Sequence, residues 1–241
     1  MVDTPAAGRA ALVVLAGGSG SRVGAAVNKV YLPLAGRRVI SWSFLQASRV
    51  AEFGHFVLVV RPEDAGLARQ ALDEDVPDLP VDLVTGGATR HASERAGLDR
   101  LVRLVETGIV DVIAVHDGAR PLAGPALFRS VVVTARRVGG ALPALPADGV
   151  LAADADGLPT VPPNPAGLGL ARVQTPQAFR ARPLLAAYRA ASTAGYEGTD
   201  TASSVETFSD LTLRVVVGSR RNLKITYPTD LPLAERLLDQ A

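Results

Sequence analysis

The sequence predicts an α/β fold: a doubly wound, mostly parallel sheet with a protruding β-arm. Three observations carry this. Short β-branched and aliphatic runs alternate with segments of helical periodicity. The runs are apolar without interruption, as suits strands covered on both faces. Several of them stop abruptly in turns that contain glycine, the first in Leu-Ala-Gly-Gly-Ser-Gly-Ser-Arg over residues 15–22.

Residues 10–16 are the first buried strand. A helical pattern over 38–50 carries Val39, Ile40, Trp42, Phe44 and Leu45, and 56–60 is a second strand. Pro62 suits the first turn of a helix that runs to about residue 75. A short strand over 81–84 ends in Thr85-Gly86-Gly87. Residues 90–106 read as one amphipathic helix with Leu98, Leu101, Val102 and Val105 on a face. A strand over 109–115 ends in His-Asp-Gly-Ala-Arg-Pro, residues 116–121, before a helix over 125–138 and a strand over 141–145. Residues 138–171 hold six prolines and three aspartates but no Lys or Arg, which argues for a hairpin or irregular arm rather than helix. Helical signal resumes at 183–191, 200–207 and 229–239, with strands expected at 213–217 and 223–226.

Composition excludes several classes. The 241 residues are 48% hydrophobic and 20% charged with net charge +1, so no basic stripe calls for nucleic acid. The length suits a single domain over 1–241, with 143–171 inserted as the arm. There is no cysteine, which removes disulfides, thiolate catalysis and Cys-bound metals. No apolar run approaches the ~20 residues of a membrane span and no export pattern opens the chain, so a cytoplasmic enzyme is expected.

The Gly17–Arg22 segment lets the backbone approach a ligand and aim N–H groups at it. Arg22 and, a few residues on, Lys29 make a polyanion the expected ligand, although a plain tight connection gives the same glycines. The loop is not a Walker A sequence, since no Gly-Lys-Ser/Thr closes it. It is a poor dinucleotide fingerprint, because Val23 stands where the third glycine belongs. Lys29 and Lys224 are the two lysines among 25 basic residues. An ammonium acts as a point charge toward phosphate, which guanidinium does not duplicate. Asp117, at a strand end, could hold Mg²⁺ between phosphate oxygens or make an Asx-turn. Arg120 suits a second phosphate or a surface ion pair. Ser93 either binds a base or ribose or begins its helix, and Thr199-Asp200 is equally open. None of His55, His91 and His116 reads as a catalytic base.

Taken in order, L-A-G-G-x-G-S-R, N-K, G-G-x-x-R-x-x-S, H-D-G-A-R-P, Q-T-P-Q-x-F, T-D-x-A-S and N-x-K-I-T-x-P-x-D-L cover residues 15 to 231. This series resembles the 2-C-methyl-D-erythritol 4-phosphate cytidylyltransferase family, whose relatives that act on ribitol 5-phosphate share most of it. The resemblance implies a Rossmann-like nucleotidyltransferase fold in a homodimer, with CTP and a polyol phosphate as substrates and Mg²⁺ as cofactor. It implies that Ala16, Gly17, Gly18, Gly87, Ser93 and Gly118 contact CTP, and that Arg22, Lys29 and Lys224 are catalytic. Asp117 would hold the metal and lie near the acceptor; Arg120, Thr175, Thr199 and Lys224 would bind that acceptor. The arm would cross to a partner subunit and help complete its acceptor site.

The chain departs from that pattern in the arm. Gly149 and Leu151 stand where the family has Thr and Lys, and Gly167 where it has Arg; Arg172 is the nearest substitute. Asn28 for Pro and Val30 for Gln are milder changes. Three readings follow: the methylerythritol phosphate enzyme with a rearranged acceptor site, an enzyme for another polyol phosphate such as ribitol 5-phosphate, or a catalytically weak nucleotide-binding protein.

Overall fold

The computed structural model describes residues 8–18, 27–147, 152–153, 159–160 and 170–240. The first apolar run forms β1 (Arg9–Leu15), with Ala10 to Val14 fully buried. A 3-10 turn at Lys29–Tyr31 leads to the short antiparallel pair β2 (Pro33–Leu34) and β3 (Arg37–Arg38), then α1 (Val39–Ser48). β4 (Phe53–Val60) is followed by α2 (Ala65–Asp75), and β5 (Val81–Thr85) by α3 (Arg90–Asp99) and α4 (Val102–Glu106). β6 (Val110–Asp117) precedes α5 (Pro125–Val138) and β7 (Gly139–Pro146). β8 (Ala152–Ala153) pairs antiparallel with β9 (Pro159–Thr160). Then come β10 (Ala171–Val173), β11 (Gln177–Arg180), α6 (Ala181–Thr193), α7 (Thr201–Phe208), β12 (Thr212–Val217) and α8 (Asp230–Asp239).

The sheet is mixed but mostly parallel, as expected. β5, β4, β1 and β6 lie side by side in parallel, and β11 joins β6 antiparallel. Ala141 of β7 is in register with both Ala178 and Arg214, so β7 lies between β11 and β12. β10 pairs antiparallel with the far end of β7. Alternation along β1 shows how both faces are covered. Ala10, Leu12 and Val14 pack with Phe44, Phe56 and Phe128 under α1, α2 and α5, while Ala11 and Val13 pack with Leu98, Leu184 and Tyr188 under α3 and α6. Each buried Val, Leu or Phe side chain among them contributes about 1.5–3 kcal/mol of transfer free energy. A separate small cluster of Leu34, Val39, Ile225 and Ala234 seats α8.

Two expectations need correction. Residues 90–106 form two helices, not one: Leu101 turns with a tight bond from its N–H to the Leu98 carbonyl (2.9 Å). The break lets Leu98, Leu101 and Val105 all bury, while Val102 stays half-buried. Residues 223–226 are not a strand. They run extended beside the β6 turn, where Ile225 donates to the Ala119 carbonyl (2.8 Å), but join no ladder. Half-buried Leu223 and buried Ile225 flank exposed Lys224, a one-sided burial that resembles a strand in sequence but needs no paired edge. Most of the arm expected at 143–171 lies outside the described residues. Among the described residues no helix is long and apolar enough to cross a membrane.

The chain winds outward from β1 through β4 to β5, then returns to lay β6 on the other side of β1. Such a reversal leaves a crevice beyond the strands' carboxyl ends. Leu15 is in register with Asp117 there, and the Gly118 N–H donates to the Leu15 carbonyl (2.9 Å). A Cβ on Gly118 would sit 2.2 Å from Ile40 Cδ1 and 3.0 Å from the Leu15 oxygen. Gly118→Ala is therefore expected to lower stability by about 1–3 kcal/mol through overpacking. An unchanged urea midpoint would contradict this account of the crevice floor.

Candidate active site

The crevice holds a cavity of about 350 Å³ lined by residues 15–18, 28–30 and 87–90, with Ser93, Asp117, Ala119 and Lys224. Its walls are extensions of the sheet. Ala16 donates to the Val59 carbonyl and Gly86 to the Val60 carbonyl (2.8 Å each), so both glycine loops start from ladder bonds. Helix α3 comes in close behind them. A Cβ on Gly86 would lie 2.7 Å from Ser93 Oγ, and one on Gly87 2.4 Å from the Ala92 Cβ. Thr89, not Ser93, caps α3 by accepting from the Ala92 N–H (3.1 Å), and Ser93 Oγ donates to the Gly87 carbonyl (3.2 Å). Ser93 therefore fixes the shape of the second glycine loop.

On the opposite wall Asn28 does structural work that its sequence position did not announce. Its Nδ2 donates to the Ala16 carbonyl and to Asp64 Oδ2 (2.9 Å each), and its side chain caps the 3-10 turn that carries Lys29. Asp64 in turn accepts from Arg61 Nε and Nη2 (2.9 Å each). This buried network ties the end of β1 to the turn, and Lys29 meets the cavity from a fixed backbone.

Asp117 closes the cavity at the tip of β6. Its Oδ1 accepts from Arg90 Nη1 and its Oδ2 from Lys224 Nζ (2.8 Å each), while Arg120 Nε lies 3.7 Å from Oδ2. Burial alone would raise this carboxyl, but Arg90, Lys224 and Arg120 outweigh it and hold it well below the usual carboxylate range. Burial would likewise lower Arg90, yet Asp117 and Glu94 raise it instead. Behind Asp117 runs a relay. The Arg120 carbonyl can only accept, so His116 Nε2 donates to it (3.1 Å) and Nδ1 accepts from Thr175 Oγ1 (3.1 Å); Thr175 Oγ1 accepts from the Asp117 N–H (2.9 Å). Burial pushes His116 down to about 4, so it is neutral at neutral pH.

The cavity thus gathers Ala16, Gly17, Gly18, Lys29, Gly87, Ser93, Asp117 and Lys224. Arg120 and Thr175 do not line it: they brace Asp117 from behind, and Arg120 Nη1 donates to the Asn222 carbonyl (2.8 Å). Gly118 does not line the cavity either: its N–H is taken by Leu15 and its missing side chain makes room for Ile40. Thr199 is exposed before α7 and lines no part of the cavity; its neighbour Asp200 is the residue that caps that helix. Arg22 lies outside the described residues. Arg90, the Arg of the G-G-x-x-R-x-x-S motif, had no role read for it from the sequence; it stands on the cavity wall between Glu94 (2.9 Å) and Asp117. A usable signal existed: an Arg in the first turn of a helix faces an unfavourable dipole, and Glu94 stands four residues on to hold it. Among the described residues no group of three or more His, Cys, Asp or Glu could hold a metal ion.

The family model described as 2-C-methyl-D-erythritol 4-phosphate cytidylyltransferase matches residues 10–240. The protein of that name from Synechococcus sp. (strain JA-3-3Ab) is 36% identical over 231 residues, 95% of this chain and 97% of that one. The one from Thermosynechococcus vestitus is 37% identical over 229 residues, 94% of each chain. Among solved structures, the 4-diphosphocytidyl-2C-methyl-D-erythritol synthase of Anaerococcus prevotii is similar with TM-score 0.81 and 27% identity, over 97% of this chain and 99% of that one. The 2-C-methyl-D-erythritol 4-phosphate cytidylyltransferase of Thermus thermophilus gives TM-score 0.71 and 29% identity, over 96% and 99%.

The neutral, buried His116 makes the loop behind Asp117 acid-sensitive. Between its unfolded value near 6.5 and its folded value of about 4, the unfolded chain binds a proton that the folded chain refuses. Stability is then lost as pH falls through that window, by up to about 3 kcal/mol. Urea unfolding of the wild type and His116→Asn across the window is expected to show a shallower loss in the variant; identical slopes would contradict the assignment.

Proposed function

The chain belongs to the 2-C-methyl-D-erythritol 4-phosphate cytidylyltransferase family, and from that premise we propose that it transfers CMP from CTP to 2-C-methyl-D-erythritol 4-phosphate, releasing pyrophosphate. The observation that carries this reading is the cavity that combines the Gly17-Gly18 backbone, Lys29, Arg90, Lys224 and Asp117. An acceptor phosphate oxygen is already ionised near neutral pH. It attacks the α-phosphorus of CTP in line, the bond to the bridging oxygen breaks, and the electron pair leaves with pyrophosphate. No general base is needed, which agrees with His116, beside Asp117, being buried with both ring nitrogens engaged.

The work left to the protein is to hold two anions together and to neutralise charge as it shifts. In this reading Ala16, Gly17, Gly18 and Gly87 cradle the nucleotide, Ser93 shapes the base end, and Lys29, Lys224 and Arg22 stabilise the reacting phosphates. Asp117 fits a Mg²⁺ site of the kind that takes one carboxylate and otherwise phosphate oxygens and water. Its two oxygens accept one close bond each, from Arg90 and Lys224, and a carboxylate offers about four lone-pair sites. Mg²⁺ held there supplies charge neutralisation to the triphosphate. Thr175 and Arg120 serve by fixing Asp117, and Thr199 toward the acceptor is the weakest member of the set.

The chain acts as one nucleotidyltransferase unit, in the cytoplasm, and pairs through the 143–171 arm. Support for pairing comes from apolar side chains left exposed where the arm leaves the sheet: Leu170 (54%), Val173 (42%), Val215 (59%) and Val217 (88%). The absence of Lys and Arg from 138–171 favours a second reading, in which the acceptor is another polyol phosphate such as ribitol 5-phosphate.

Pyrophosphate release, measured with Mg²⁺ for each of four NTPs against the two acceptors, separates these readings. Turnover with CTP and methylerythritol phosphate is expected; turnover confined to ribitol 5-phosphate selects the second reading. Lys29→Ala is expected to lower turnover about a hundredfold or more with folding intact, the size of one lost charge-stabilising contact. Near-normal turnover would remove Lys29 from the mechanism. Sedimentation is expected to give a dimer, and Val217→Asp to weaken it; a wild-type monomer at assay concentration contradicts the pairing.

A further inference from the structure

Glu94 is 1% exposed and lines no part of the cavity. A carboxylate so placed is costly unless it is fully partnered, and apolar packing would stabilise the helix interface at least as well. Its partners are specific. Oε1 accepts from Arg90 Nε (2.9 Å) and Thr201 Oγ1 (3.1 Å), and Oε2 from the Tyr188 hydroxyl. The three donors come from α3, α7 and α6, two of which contribute nothing to the cavity lining. Arg90 donates through Nε to Glu94 and through Nη1 to Asp117, so its guanidinium is held along two edges. Its side chain remains 33% exposed, turned to the cavity beside the second glycine loop.

We propose that Glu94 is a positioning residue for the nucleotide: it fixes the Arg90 guanidinium on the cavity wall, and Tyr188 and Thr201 fix Glu94 from the helices behind. A guanidinium on a long side chain with several rotatable bonds is useful to a polyanion only when its geometry is set beforehand. Arg90 stands at the Gly87–Thr89 end of the cavity, so the effect falls on the nucleotide rather than on the acceptor. The inference rests on the reading of this cavity as the CTP site.

The test is steady-state pyrophosphate release with CTP, Mg²⁺ and 2-C-methyl-D-erythritol 4-phosphate, alongside calorimetric CTP binding, for wild type, Glu94→Gln, Tyr188→Phe and the double variant. Glu94→Gln keeps the volume and removes the charge. It is expected to raise KM for CTP about tenfold while KM for the acceptor stays within about twofold. Tyr188→Phe leaves the charge in place and loosens it, with about a threefold rise in KM for CTP, and the double variant is expected to be no worse than Glu94→Gln alone. Unchanged KM for CTP in Glu94→Gln, equal rises for both substrates, or additive effects in the double variant overturn the proposal. A lower melting temperature with unchanged KM does so as well. If Glu94→Gln does not fold, Tyr188→Phe decides on the same split. A wild type that neither binds nor turns over CTP overturns the reading of the cavity itself, which separates that failure from a failure of Glu94.

Discussion

A negative charge at the tip of the central sheet governs the arrangement around it. Asp117 ends β6, and a carboxylate withdrawn from water there is tolerated only if opposite charge comes to it. Three segments far apart in the chain answer: Arg90 from α3, Arg120 from the following turn, and Lys224 from the extended segment before α8. The Thr175 hydroxyl and neutral His116 then fix the backbone on which the charge sits. The second glycine loop, the 223–226 segment and the β10–β11 connection are all referred to one carboxylate.

The same constraint shapes a site for polyanions. A wall of cations that held no carboxylate would repel itself; with Asp117 among them, Arg90 and Lys224 can stand within 2.8 Å of the same group. Phosphates that enter such a cavity meet donors already aimed, so little reorganisation is needed for charge to be stabilised. The crevice is open because β1 and β6 are neighbours in space and strangers in sequence, and the glycines after β1 and β5 let α3 approach without filling it.

Much of this was legible in the sequence. Uninterrupted apolar runs marked β1, β4 and β6 as doubly covered strands, and helix α5 fell on 125–138 as its periodicity required. Ala16 to Gly18, Lys29, Gly87 and Asp117 stand where strands end or turns begin, and the cavity gathers them with Ser93 of α3 and Lys224 of the extended segment. In sequence, a glycine that makes room for close packing, as Gly118 does for Ile40, looks the same as one kept for a ligand. Arg90 and Asn28 stood in quoted motifs without a role, because the partners of Arg90 lie 4 and 27 residues away and the bonds of Asn28 to Ala16 and Asp64 span 12 and 36.

By itself the sequence determined the alternation of buried strands and amphipathic helices, the loops at the strand tips and the kinds of charge they carry. Those properties are local, set by residue type and spacing within one element. Only the tertiary structure decided which tips share a crevice, that Arg120 and Thr175 serve Asp117 from behind, and that Glu94 and Tyr188 stand behind Arg90. These depend on strand order and on the pairing of buried charges across the fold, and a buried charge chooses its partners by distance, which the order of residues along a chain does not express.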